Sequence, residues 1–313
     1  FSLMRKIKDF FVHKIKNFIN FERRREEELL LCGKILIDLN KKKIPSRIED
    51  IEFKIFSQFG DDGIIQYLIH KLEIEDKYFN FIEFGVENYL ESNTRFLLFN
   101  SNWSGLILDS SEKNINQIKN SNFFWKYNLE AKSCFVDRDN INNIINDSKI
   151  DKNSIGILSI DIDGNDYWVW KEIKIIDPLI VIIEFNSVFG FSEKISIPYK
   201  KNFSRTEAHH SNLFWGASLE ALKYLGQQKG YEFFSTNSSG NNAYFIKKEL
   251  FNKVDLKLKR NSYQSKFRES RDKEGKKTLT HYKNRLEIIE DLFIENVETN
   301  ELTKLSELDL KNK

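Results

Sequence analysis

Five short apolar runs between residues 79 and 185 end in a carboxylate: Glu83 before Phe84-Gly85, Asp109 before Ser110, Asp137, Asp161 in Asp161-Ile162-Asp163-Gly164, and Glu184 before Phe185-Asn186. A carboxylate accepts two hydrogen bonds at once and therefore suits a vicinal diol. A glycine beside it lets a ligand approach the backbone. Asp161, Asp163, Asn165 and Asp166, with Glu184 and Asn186, form an oxygen-rich set of the kind that holds a hard divalent cation. Each acid taken alone also reads as a cap for the helix that follows it, but capping accounts less well for the whole series. His209-His210 offers a general base for a hydroxyl proton, or else a surface pair with no chemical part.

These side chains act together only if their strands lie side by side. From about residue 50 to 250, short apolar runs alternate with longer amphipathic ones, the pattern of βαβ units around a parallel sheet. The runs predict strands at Phe79 to Phe84, Leu106 to Asp109, Cys134 to Asp137, Ile155 to Asp161, Ile180 to Phe185, Tyr231 to Ser235 and Ala243 to Lys247. Helices are expected at Asp62 to Leu72, Glu91 to Phe99, Ser111 to Lys119, Asn140 to Asn146, Asp166 to Ile173 and Ala217 to Lys229. The last two strands are joined by Thr236 to Asn242, too short for a parallel crossover, so they form an antiparallel hairpin. Ligands of such sheets bind beyond the carboxyl ends of the strands, where strand order reverses, and that is where the acids fall.

In order and spacing, Ile82-Glu83-Phe84-Gly85, Leu108-Asp109 and Ile160-Asp161-Ile162-Asp163-Gly164 resemble class I S-adenosylmethionine (SAM)-dependent methyltransferases, most of all the FkbM-like branch. The resemblance implies an α/β, Rossmann-like seven-stranded sheet with a final antiparallel hairpin. It implies SAM as cofactor, with Glu83 and Gly85 near its methionine part, Asp109 with Ser110 at the ribose, and Asp137 beside the adenine. Ser57 and Gln58 precede the leading helix and either contact the methionine moiety or serve helix entry. Asn93, in Glu91-Ser92-Asn93-Thr94, either caps a helix or directs donors at the cofactor carboxylate. Asp161 joins the cofactor and catalytic sets, and Asp161 with Glu184 would hold Mg²⁺ if the enzyme uses it, as metal-dependent relatives do. The implied reaction is O-methylation of a hydroxyl on a sugar, polysaccharide precursor or secondary metabolite, with His209 or His210 as base. The chain departs from most relatives after Gly85, where Val86-Glu87-Asn88-Tyr89 replaces further glycines.

The rest of the chain bounds these readings. Forty-nine Lys and Arg against 47 Asp and Glu leave a formal charge of +2, so no global field recruits nucleic acid. Cys32 and Cys134 form no CxxC pair, which suggests neither a disulfide framework nor a zinc knuckle and fits a reducing, cytoplasmic setting. The only methionine, Met4, suggests that translation starts there. Three regions are expected: N-terminal helices over 1–49, the methyltransferase-like domain over 50–252, and a charged, solvated arm with one short helix over 253–313. From Met4 to Phe21, apolar residues recur at helical spacing opposite Arg5, Lys6, Lys8, Lys14 and Lys16; that helix packs on protein, its own domain or a homodimer partner, or meets an anionic membrane surface. Two other functions compete. An oxidoreductase binding a dinucleotide or nucleotide sugar lacks its GxGxxG, and a noncatalytic membrane-associated scaffold rests on the first helix alone.

Overall fold

A computed structural model describes residues 25–254, 258–259, 261–266, 269–308 and 310. The amphipathic segment from Met4 to Phe21 lies outside the described residues, as do Lys257, Arg260 and Arg268 of the basic C-terminal run. No helix among the described residues is long and apolar enough to cross a membrane.

Five parallel strands, β1 (Asn80–Phe84), β2 (Ser104–Asp109), β3 (Leu129–Ser133), β4 (Ile157–Ile160) and β5 (Ile180–Glu184), join the antiparallel pair β7 (Tyr231–Thr236) and β8 (Asn242–Lys247) in one sheet. Their order is β3-β2-β1-β4-β5-β8-β7, typical of the Rossmann-like methyltransferase fold. The strands are apolar on both sides because helices cover both faces of the sheet. Ile82, Phe84, Leu106, Leu108, Val181 and Ile183 face α5 (Ile141–Asn146), α6 (Asp166–Glu172) and α8 (Leu219–Gln228). Their alternates Phe81, Ile107, Ile180 and Ile182 face α2 (Asp61–Leu72), α3 (Arg95–Ser101) and α4 (Glu112–Lys119). Before the sheet, helix α1 (residues 25–41) packs Leu29, Leu30, Leu36 and Ile37 against Phe53, Ile55, Phe56 and Phe96.

Four expectations need correction. The third strand is Leu129–Ser133, and Cys134 to Asp137 is the loop after it. This edge strand alternates Leu129 and Ala131 with Glu130 and Lys132, so it reads as less apolar than the loop that follows. Helix α3 begins at Arg95 rather than Glu91, because residues 91 to 94 form a turn held by Glu83. Trp103 and Trp125 both read from the sequence as core residues or adenine neighbours, core before neighbour; Trp103 is core, stacked on Phe79 with ring centres 4.8 Å apart, but Trp125 is 79% exposed.

The fourth correction concerns the C-terminal region. Strands β9 (Phe293–Asn296) and β10 (Leu302–Lys304) form a second, three-stranded sheet with β6 (Ile195–Ser196) from the segment after β5. Leu286 and Ile289 of α9 (Tyr282–Ile289), with Ile294, Leu305 and Leu310, share a core with Phe189, Ile195, Ile197, Phe203, Leu213, Phe214 and Trp215. The expected solvated arm is therefore folded onto the 187–215 segment. Its high charge density hides the few apolar residues that make this core. Ile294 is fully buried, and Ile294→Ala should lower unfolding free energy in urea by about 2–5 kcal/mol. A value near zero would restore the solvated arm.

Candidate functional site

One cavity of about 510 Å³ lies over the carboxyl ends of the strands, at the switch point where β1 and β4 lie side by side and their following helices go to opposite faces. Gly85 sits there with φ of 75°, and a β-carbon on it would overlap the Asp161 carbonyl oxygen. The close approach of two strand ends thus explains the glycine.

On the β1–β2 side the lining includes Gln58, Glu83, Gly85, Asn93, Asp109 and Ser110. Glu83 is buried, and its carboxylate accepts bonds from Ser92 Oγ (2.5 Å), Thr94 Oγ1 (2.5 Å), the Asn93 N–H (2.9 Å) and the Thr94 N–H (3.2 Å). Its acceptor capacity is spent on the turn before α3, and burial raises its pKa. The turn in turn aims Asn93, whose Nδ2 donates to Ser159 Oγ at 3.1 Å. Asp109 accepts from the N–H groups of Glu87 (2.7 Å) and Ser111 (2.8 Å). Asn114 Nδ2 adds a longer bond at 3.4 Å. A carboxylate has about four acceptor positions, so Asp109 keeps one free for a ligand hydroxyl and a second where the long Asn114 bond gives way.

Two expected cofactor residues are not in the lining. Asp137 holds the turn that leads into α5, its Oδ1 accepting from the N–H groups of Asp139 (2.8 Å) and Asn140 (3.0 Å); the displacement of β3 to Leu129–Ser133 takes it away from the strand end. Cys134, Phe135 and Val136 line the cavity in its place. Ser57 is fully buried and shares Asp62 Oδ2 with three backbone N–H groups, which fixes the entry to α2.

On the β4–β5 side, carboxylate oxygens of Asp161, Asp163 and Glu184 lie within 4.8 Å of one another. Burial first, then the neighbouring carboxylates, pushes the pKa values of Asp161 and Glu184 well up. Asp166, the first residue of α6, does not cap the helix but holds the loop before it, accepting from the N–H groups of Ile162 and Gly164, both at 2.9 Å. Asp163 is paired with Arg205 of the short helix α7 (Arg205–Ala208) at 2.6 Å. Asn186 donates to the carbonyls of Leu213 and Trp215, both at 2.9 Å, and so fastens the 187–215 segment to the end of β5.

His209 and His210 are not among the lining residues. Their ring centres lie 4.1 Å apart with the planes tilted by 41°, His209 Nδ1 lies 2.7 Å from Ser211 Oγ, and burial with the neighbouring His210 lowers the His209 pKa. The same segment instead sends Phe203, Arg205, Leu213 and Trp215 to the cavity, and the C-terminal region adds Ser265, Glu269 and Arg285. Sequence reasoning missed these seven because they precede no helix and end no strand. The only signal was an arginine, Arg205, four residues before the histidine pair.

No model of a known protein family matches the chain, and no curated protein matches its sequence. Solved structures with a similar fold include an O-methyltransferase from Bacillus cereus in complex with S-adenosylhomocysteine (SAH), at 15% identity over 72% of this chain and 91% of that one, TM-score 0.40. Others are S-adenosylmethionine-dependent methyltransferases from Clostridium acetobutylicum (9% identity, 60% of this chain, 90% of that one, TM-score 0.36) and Aquifex aeolicus (10%, 68%, 96%, TM-score 0.33).

The half-buried acid pair has a consequence for stability. Raised carboxyl pKa values mean that the folded chain binds protons more tightly than the unfolded one, so the stability they contribute is full below the ordinary values of 3.8 and 4.5 and is lost as pH rises through the folded values. In buffer containing a chelator, Glu184→Gln should raise the melting temperature at pH 8 and change it little at pH 4. An equal shift at both pH values would show that the charge is not the cause.

Proposed function

We propose that the chain is a SAM-dependent O-methyltransferase of the FkbM-like branch, acting on a hydroxyl of a sugar, polysaccharide precursor or secondary metabolite. One observation carries this reading: a single cavity joins Asp109, a carboxylate at the end of β2, to a half-buried acid pair at the ends of β4 and β5, across the sheet's switch point. The β1–β2 side would take the cofactor, with Asp109 on the ribose hydroxyls and Gln58, Asn93 and the Gly85 backbone near the methionine part. Glu83 would act by holding the turn that presents Asn93. Cys134 to Val136 would border the adenine, the place first assigned to Asp137.

The acceptor would enter from the side built by residues 187–215 and the C-terminal region. Methyl transfer to oxygen requires removal of the hydroxyl proton and in-line approach to the sulfonium. Asp161, paired with Glu184, is the favoured base, because it lies in the cavity lining while the two histidines do not. Its raised pKa brings proton affinity toward the working pH.

Metal assistance is a second reading, favoured by the approach of three carboxylates within 4.8 Å. Asp161, Asp163 and Glu184 suit Mg²⁺ in charge and donor type, and a bound cation would supply Lewis acidity to the acceptor oxygen.

Titration calorimetry with SAH tests the cofactor half. Asp109→Asn keeps the shape but loses the charge and should weaken binding roughly tenfold or more, since hydrogen bonds to charged groups are worth about 1.5–3 kcal/mol. Unaltered affinity would count against the ribose assignment, and NAD binding in place of SAH would favour the oxidoreductase. For the chemical step, Asp161→Asn should slow methyl transfer by roughly 10²–10⁴-fold, while the double variant His209→Gln/His210→Gln should retain activity. Loss of turnover in EDTA, restored by Mg²⁺, would select the metal reading.

A further inference from the structure

Helix α1 presents two different faces. One is docked: Gly33 is buried against the Phe96 ring, the flanking leucines pack on the Phe53 cluster, and Glu26 pairs at 2.5 Å with buried Arg95. The opposite face carries Leu31 (59% exposed), Ile35 (52%) and Leu39 (49%) in an unbroken stripe. At 3.6 residues per turn, Leu31 and Leu39 lie about one turn either side of Ile35 and Glu28 about two turns before it, close to one line, while Lys42 opens the turn that follows the helix at the other end. The stripe therefore reads Glu, Leu, Ile, Leu, Lys along the helix, apolar in the middle and of opposite sign at its ends.

We propose that this stripe is the interface of a homodimer in which α1 of one copy packs antiparallel against α1 of a second. A two-fold axis at Ile35 places Ile35 on its counterpart, Leu31 on Leu39 of the other copy, and Glu28 on Lys42 of the other copy, twice over. The surface is thus self-complementary in shape and charge, as an isologous contact requires. A parallel pairing would set Glu28 against Glu28 and Lys42 against Lys42, a repulsive register. An anionic membrane fits less well, because the exposed charges around the stripe are mixed in sign, with Glu27, Glu28 and Asp38 among Arg25, Lys34, Lys41 and Lys42. Since α1 is already docked on its own domain, association need not order it.

Disulfide trapping in the full chain tests this inference, with Cys32→Ser as background because Cys32 is exposed. Leu31→Cys and Leu39→Cys proteins are oxidised separately and as a mixture. The antiparallel dimer predicts cross-linking of the mixture only. In either protein alone the two cysteines would sit about 12 Å apart along the helix axis, beyond the roughly 7 Å that a disulfide spans between α-carbons. Cross-linking of each alone indicates a parallel pair and overturns the proposal. Absence of cross-linking with a monomer at every concentration in sedimentation also overturns it, whether residues 1–24 or a lipid surface is the true occupant. Ile35→Lys should weaken dimerisation by roughly 30-fold or more without changing SAH affinity. Glu28→Lys alone should weaken it, and Glu28→Lys with Lys42→Glu should restore it; failure of the double exchange to restore it refutes the antiparallel register.

Discussion

The contact between the Gly85 backbone and the Asp161 carbonyl governs much else in this chain. β1 and β4 are adjacent in the sheet, yet the helices that follow them pack on opposite faces, so the two strand ends must separate just where they are most crowded. No side chain fits at position 85, and its φ of 75° belongs to glycine. The separation opens the cavity and gives it two sides of different chemistry. Glu83 then holds the turn through residues 92 to 94, which keeps the β1 side open, and Asp166 holds the backbone of Ile162 and Gly164 on the β4 side. Two buried carboxylates are used as architecture, so that Asp109 and Asp161 can face the cavity.

The same logic extends to the outer wall. Residues 187–215 cannot bury Phe189, Ile195, Phe203, Leu213 and Trp215 by themselves, and residues 286–310 cannot bury Leu286, Ile289 and Ile294. Together they make a small core and a three-stranded sheet, and that core holds Phe203, Arg205 and Trp215 at the cavity. Arg205 shows the coupling: it donates to the Asn212 carbonyl at 2.7 Å, lies 5.0 Å from the centre of the Trp215 ring and reaches Asp163 at 2.6 Å. The C-terminal region is therefore part of the site, although it is remote from it in sequence.

How far the sequence could be read depended on how local each signal was. The apolar runs at Asn80–Phe84 and Ile180–Glu184 are buried on both faces and announced themselves, as did the hairpin between Tyr231 and Lys247. β3 did not, because an edge strand needs apolar residues on one face only, and a mistake of five residues there carried Asp137 to the wrong place. The acids at β1, β2, β4 and β5 were legible as a group at the cavity, but their division of labour was not. Whether a carboxylate serves a ligand or its own loop depends on donors such as Ser92 and Thr94, which no spacing rule places within 2.5 Å of Glu83. The histidine pair looked like chemistry because histidine titrates near neutrality, whereas its position depends on a second core that local pattern does not reveal.

Charge balance in the cavity follows from this arrangement. Carboxylates outnumber guanidinium groups in the lining, where Glu83, Glu87, Glu91, Asp109, Asp161, Asp163, Glu184 and Glu269 face Arg205 and Arg285. Asp163 has Arg205, Glu83 has its four donors, and Asp109 has the backbone of Glu87 and Ser111. Asp161 and Glu184 have mainly each other, which is why burial and mutual repulsion raise both pKa values. A proton, a divalent cation or a cationic ligand centre relieves that repulsion, and a sulfonium approaching the strand ends is one such centre. An anionic acceptor would add to the repulsion. Under the proposed methyl transfer, the pair would therefore suit a neutral hydroxyl acceptor better than a phosphorylated one.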